Sequence, residues 1–227
     1  MNLLSIDSSS TILSVAVSSG KNIHYKETDE GMKHSELAMD FIDSMMKEAS
    51  LKPCDLNSVL CMGGPGSFTG LRIAYSIAKG LALSLSIPFA PVPTLDCIAY
   101  QNEENKGDAI LAVIESRKNA CFYSFFKDNL RLTEDKEADY LQIAEEIKNF
   151  KEKIILKGHS SAFFYDFLPV NLKEKIIFNY KNKGFAKEII YIAQKQNILD
   201  NMNTAFLSSG PEYVRLSDAQ AALAARN

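Results

Sequence analysis

The apolar positions of this chain change spacing in the same order twice. Residues 3–6, 13–18 and 22–26 have strand length and are joined by SSST and SSGK turns. Over residues 35–49, Leu37, Phe41, Ile42, Met45, Met46 and Ala49 recur at helical spacing. A strand at 58–62, a glycine-rich loop, a helix over about 71–85 and a strand at 89–92 follow. Thr94 has the residue type of an N-cap, for a helix running through residue 99. Strands are expected again at 109–114, 120–126 and 130–132, then a helix at 140–150. A strand at 154–156, another near 176–178 and a helix at 185–196 complete the second set.

Two halves of strand-strand-strand-helix-strand-helix predict a duplicated α/β fold, each half a mixed sheet with flanking helices. The division is expected between residues 1–104 and 105–227, inside QNEENKGD (101–108), which is polar and has no apolar anchor. Ser217 and Gln220 have capping-box spacing before AALAAR, so a short terminal helix, free to pack back on the first half, is expected.

With 227 residues, 46% hydrophobic and 23% charged, the chain suits one large domain or two small ones. A net charge of -3 argues against an autonomous nucleic-acid binder, which carries a basic surplus. Cys54, Cys61, Cys97 and Cys121 form no Cys-x-x-Cys pair, which suits reduced, mostly buried thiols. The N-terminus lacks a basic leader and an apolar run of signal length. The most apolar window, 71–85, is interrupted by Arg72 and Lys79, so a cytoplasmic protein with no membrane span is expected.

The densest chemical signal is GGPGSFTGLR, residues 63–72. A strand, a glycine turn and a helix in succession aim free backbone N–H groups at whatever lies before the helix, which makes an anion site easy. No Gly-Lys-Ser/Thr closes the loop, so it is not a Walker A motif. Ser67 lies in Pro-Gly-Ser-Phe-Thr, so it is not a nucleophile elbow either. Close helix–strand packing, where a β-carbon would clash, explains the glycines at least as well.

GGPGSFTGLRIA, the opening IDSSS, KHSE at the first helix, PTLDCIA and PEYVR at 211–215 together closely resemble the bacterial TsaB (YeaZ) family of the actin-like ATPase superfamily. The resemblance covers residues 1–99 and returns at 211–215. It implies a fold of two duplicated actin-like (RNase H-like) subdomains. It further implies a non-catalytic partner of TsaD, working with TsaE and a TsaC-type enzyme to form N6-threonylcarbamoyladenosine beside the tRNA anticodon. In that system TsaC makes threonylcarbamoyl-adenylate, and TsaD carries the metal and transfers the group. Pairing with TsaD, a homodimer when alone, and only indirect tRNA contact are the partners implied.

In the superfamily the first hairpin supplies an aspartate and hydroxyls near phosphate and metal. Asp7, Ser9, Ser10 and Thr11 fall at the matching turn, although Asp and Ser are also ordinary turn residues. With Gly64, Gly66, Ser67, Thr69 and Gly70 they would line a nucleotide cleft. No firm cofactor follows; ATP or ADP at the partner interface stays open. The second hairpin, IESRKNACF, has no glycine, and Glu115-Ser116-Arg117 departs from the family's usual Asp-Ala-Arg. No metal site is expected, since His34 has Ala38 four residues on while His24 and His159 stand alone. Asp40, Asp43, Glu36 and Glu48 read as a solvated helix face.

The helix LRIAYSIAKGLALSL is apolar around most of its girth, hence deeply buried or packed on both sides. Given the resemblance, Leu37, Phe41, Met45, Arg72, Ala74, Ala78, Leu81 and Ala82 form the expected partner interface. Burial within the chain is the alternative. No catalytic residue is assigned; the rival function is a self-sufficient nucleotide-dependent phosphotransferase or ATPase of the same fold.

Overall fold

A computed structural model of the chain describes residues 1–31, 33–100, 107–159, 161–178 and 182–196, with residues 198, 210 and 211. The boundary segment 101–106, PEYVR beyond its proline, and the helix expected near Ser217 lie outside the described residues. Contacts divide the chain into two units, the first being Met1–Tyr100 plus a return segment beginning at Lys183.

In the first unit, β1 (Leu3–Asp7), β2 (Leu13–Ser19), β3 (Asn22–Thr28), β4 (Ser58–Gly64) and β5 (Phe89–Pro93) form a sheet of order β3-β2-β1-β4-β5. The hairpin strands are antiparallel, while β4 runs parallel to β1 and to β5. Helix α1 (His34–Glu48) and helix α2 (Phe68–Leu85) bury one face of this sheet. Leu4, Ile6, Val15, Val17 and Val59 pack there against Phe41, Ile42, Met45, Ala74 and Ala78. Alternation along the strands sends Ser5, Asp7, Ser14 and Ala16 to the other face.

After α3 (Thr94–Ala99), the second unit repeats the arrangement. Its strands are β6 (Ala109–Arg117), β7 (Ala120–Lys127), β8 (Leu130–Arg131), β9 (Lys136–Asp139), β10 (Ile154–Lys157) and β11 (Ile176–Ile177). The order is β11-β10-β6-β7-β8, with β9 also on β7. Helices α4 (Tyr140–Lys148), α5 (Ser161–Phe167) and α6 (Val170–Lys173) belong to it. Antiparallel β6–β7 and parallel β6–β10 reproduce β1–β2 and β1–β4, so the duplicated mixed-sheet α/β fold is present as expected.

Several local expectations shift. Helix α2 begins at Phe68 rather than near residue 71, because the Ser67 hydroxyl accepts from the Gly70 N–H at 3.2 Å and caps it. Thr94 opens α3 as its first residue, Pro93 occupies the cap, and the Thr94 hydroxyl is buried with no hydrogen-bond partner among the described residues. Strand β9 and helices α5 and α6 were not legible in the sequence: KEAD has little β-propensity, and α5 and α6 are too short to establish a period.

The larger difference concerns α7 (Ala186–Lys195), which a single division at 104/105 places in the second half. It lies with the first unit, on the face of the sheet opposite α1 and α2. The Ser5 hydroxyl donates to the Ala186 carbonyl at 2.7 Å, and the Ala186 N–H donates to the Ser14 hydroxyl at 3.1 Å. At Gly184 a β-carbon would lie 2.2 Å from that hydroxyl, so glycine is what lets the segment approach. Periodicity reveals that a helix has an apolar side, not which sheet the side covers.

No described helix is long and apolar enough to cross a membrane. Cys61, Cys97 and Cys121 are buried and Cys54 is exposed, all as free thiols. Burial pushes the Cys121 thiol up to about 12 and raises Cys61 and Cys97 well above the ordinary range. A thiol reagent at pH 8 is therefore expected to modify Cys54 rapidly in the native chain, and the other cysteines only after denaturation. The folded state keeps Cys121 protonated beyond its ordinary 9.0, so this contribution to stability is complete below pH 9 and lost as pH rises toward 12. Urea unfolding at stepped alkaline pH measures that loss, and Cys121→Ala should flatten it.

Candidate functional site

The loop between β4 and α2 lies on the turn between β1 and β2, and the two segments hold each other. The Ser67 N–H donates to the Ser9 carbonyl at 2.7 Å, and the Ser8 hydroxyl donates to the Gly70 carbonyl at 2.6 Å. A β-carbon at Gly70 would fall 1.8 Å from the Ser8 carbonyl oxygen, and one at Gly66 2.8 Å from that of Ser9. Both lie below any tolerable contact, so these glycines permit backbone to touch backbone.

Asp7 is wholly buried at the same place. One carboxylate oxygen accepts from the Ser9 N–H at 2.9 Å and the Ser9 hydroxyl at 2.7 Å. The other accepts from the N–H of Phe185 at 2.8 Å. Phe185 is the N-cap residue of α7, so the negative charge also faces the positive end of that helix. Ser10 accepts from the Ile12 N–H at 3.1 Å, Gly64 is buried, and Thr11 and Thr69 are exposed.

The structure thus gathers the candidate nucleotide residues around one turn, where Asp7, Ser9, Ser67 and Gly70 partner one another. The Ser67 N–H that would meet a phosphate is already used, and both Asp7 oxygens are occupied by the chain itself. The metal candidates are dispersed: His34 Nε2 lies 3.0 Å from the Thr11 carbonyl, and His24 Nδ1 lies 4.0 Å from a Glu48 carboxylate oxygen. Among the described residues, no three of His, Cys, Asp and Glu come together as a metal set.

The second hairpin turns at Lys118 and Asn119, with Asn119 in the left-handed region at φ 60° in place of a glycine. Arg117 folds back on Glu137 at 3.4 Å and Asp139 at 3.1 Å. A depression of about 410 Å3 opens beside this turn, against α4 and α5. Its lining includes Phe163, Phe167 and Asp166, to which the sequence reading assigned no role; the double aromatic in SAFFYDF was the available signal.

A family model described as TsaD, tRNA N6-adenosine threonylcarbamoyltransferase, matches residues 11–222. The TsaB protein of Buchnera aphidicola subsp. Schizaphis graminum is 30% identical over 69% of this chain and 77% of its own length. This chain belongs to the TsaB family. The TsaB of Bacillus subtilis is 25% identical over 97% of both chains. YeaZ from Pseudomonas aeruginosa has the same fold, with a TM-score of 0.76 over 93% of this chain and 99% of its own, at 17% identity.

Placing the expected TsaB-type interface on the structure requires a correction. Phe41, Met45, Ala74, Ala78 and Ala82 are buried in the first unit's core, because that side of each helix meets the chain's own sheet. Leu37 and Leu81 are half-buried and Arg72 is exposed over the Phe68 ring. The outward side of α2 instead carries Arg72, Ser76, Gly80 and Leu83, flanked by half-buried Ile73 and Ile77. Met39 is the exposed apolar residue of α1.

The Asp7 contacts generate a stability prediction. Asp7→Asn puts an amide donor against N–H or O–H donors, and should cost about 2–3 kcal/mol in urea unfolding. Gly70→Ala should cost about 3 kcal/mol or more, since neither backbone can retreat. Unchanged midpoints would show that this junction does not hold the unit together.

Proposed function

We propose that this chain serves the formation of threonylcarbamoyladenosine in tRNA as a non-catalytic partner of TsaD, in the cytoplasm and alongside TsaE. The relatives that match it over most of their length are named as tRNA threonylcarbamoyladenosine biosynthesis proteins, which supports the pathway. The observation that carries the non-catalytic reading is the state of the glycine loop. The Ser67 N–H, the Gly70 carbonyl and both Asp7 oxygens take part in joining the hairpin, the loop and α7 within one unit. What this rigid junction leaves available is the outward side of α2.

That side suits a helix of another protein. Among the described residues beyond α2's own backbone, no atom lies within 4 Å of a β-carbon position at Gly80, so a partner backbone can approach, and Leu83 is 61% exposed beside it. Docking there would extend a helical pair into a bundle, packed as ridges into grooves. The same face would serve a second copy of the chain when TsaD is absent.

The decisive assay is threonylcarbamoyl transfer to tRNA by TsaC, TsaD and TsaE, with and without this chain. Modification should require the chain, which alone should not turn over ATP. Leu83→Glu and Met39→Glu together should leave urea stability within about 0.5 kcal/mol per site and reduce modification at least about tenfold. Full modification without the chain would defeat the proposal. ATP turnover by the isolated chain would favour the autonomous ATPase.

A further inference from the structure

The two units treat the space beside their hairpin turns differently. In the first, the glycine loop lies directly on the β1–β2 turn. In the second, Gly158 makes the corresponding close approach one strand position earlier, where a β-carbon would lie 1.7 Å from the Val113 carbonyl oxygen. Helix α4 is tied to the turn by the Tyr140 N–H, which donates to the Asn119 carbonyl at 2.9 Å. Between the turn, the start of α4 and the side of α5 lies the 410 Å3 depression.

Its lining combines aromatic rings with an excess of acid. Tyr140, Phe163 and Phe167 supply the rings, Glu115 and Asp166 the carboxylates, and Lys118 an ammonium group. Tyr140 is buried, with its ring 5.4 Å from that of Phe167 and 5.1 Å from that of Phe164. Phe163 and Phe167 remain 67% and 42% exposed. Arg117, the other cation of this turn, is already held by Glu137 and Asp139. Leu141, which follows Tyr140 in α4, and Val170, which opens α6 three residues beyond Phe167, are 69% and 76% exposed.

We propose that this depression receives an arginine side chain presented by a partner protein. Ring faces attract a cation, and a planar guanidinium can lie flat on them where an ammonium cannot. A carboxylate beside those rings accepts two parallel N–H bonds from the same group. The ligand is carried by a protein because a small-molecule site encloses most of its ligand. Here two rings stay open, and the exposed Leu141 and Val170, near Tyr140 and Phe167 in the chain, call for a cover broader than one side chain. Lys118 opposes the cation and limits affinity. This site is separate from the outward side of α2 and does not rest on pairing there.

The test uses the full chain, isotopically labelled for amide NMR, titrated with acetyl-Leu-Arg-Leu-amide. Saturable shifts are expected at Lys118, Asn119, Phe163, Asp166 and Phe167. The peptide with citrulline, the neutral isostere of arginine, should bind at least about threefold more weakly. Acetyl-arginine-amide should also be weaker, since it lacks the apolar flanks. Asp166→Asn and Phe163→Ser, at exposed positions whose loss leaves the core intact, should each weaken binding, while Lys118→Met should tighten it. Equal affinity for the citrulline peptide, or shifts confined to another surface, would overturn the proposal. So would acetyl-arginine-amide binding as tightly as the flanked peptide, which would make this a small-cation site. Absence of saturable shifts up to about 20 mM, a ligand free energy of only about −2.3 kcal/mol, would overturn it as well.

Discussion

The Ser8 carbonyl oxygen occupies the place where a β-carbon on residue 70 would lie, at 1.8 Å from its ideal position. Because Gly70 has no β-carbon, the first turn of α2 can sit on the β1–β2 turn, fixing where α2 starts and how it crosses the sheet. Ser67 then caps that helix while its own N–H bonds to Ser9. Helix, loop and hairpin become one body through contacts that tolerate no added atom.

Asp7 extends the same body to the opposite face of the sheet. A wholly buried carboxylate is costly unless its lone pairs are satisfied, and here Ser9 and the Phe185 N–H satisfy them. The small polar side chains Ser5 and Ser14 meet the backbone of α7 in the same way. One sheet face is therefore an aliphatic core under α1 and α2, and the other a hydrogen-bonded seat for a helix that arrives much later in the chain. The second unit shares the topology and the glycine approach, but among its described residues no equivalent of this loop closure is found.

This distribution of contacts has a functional consequence. The Ser67 N–H, the Gly70 carbonyl and the Asp7 carboxylate serve internal cohesion, which gives α2 a rigid seat. The second unit offers a recess of different character, where exposed rings and carboxylates lie together. Under the proposed function, stiff, preformed surfaces of this kind would lower the ordering cost of association.

Periodicity along the chain was sufficient to reveal the repeated order of elements and hence the mixed sheets, because strand and helix spacing are local properties. The glycine string was equally legible as a point of close approach and as a family mark. The apolar residues of α1 and α2 could not be divided between core and partner surface, since Ala74 and Leu83 look alike until the sheet's position is known. Nor could Asp7 be read as an anchor for α7, because its acceptor role depends on Phe185, 178 positions away. Local spacing determined what each segment becomes; the fate of each buried charge and outward face was decided by which distant backbone the tertiary structure brought against it.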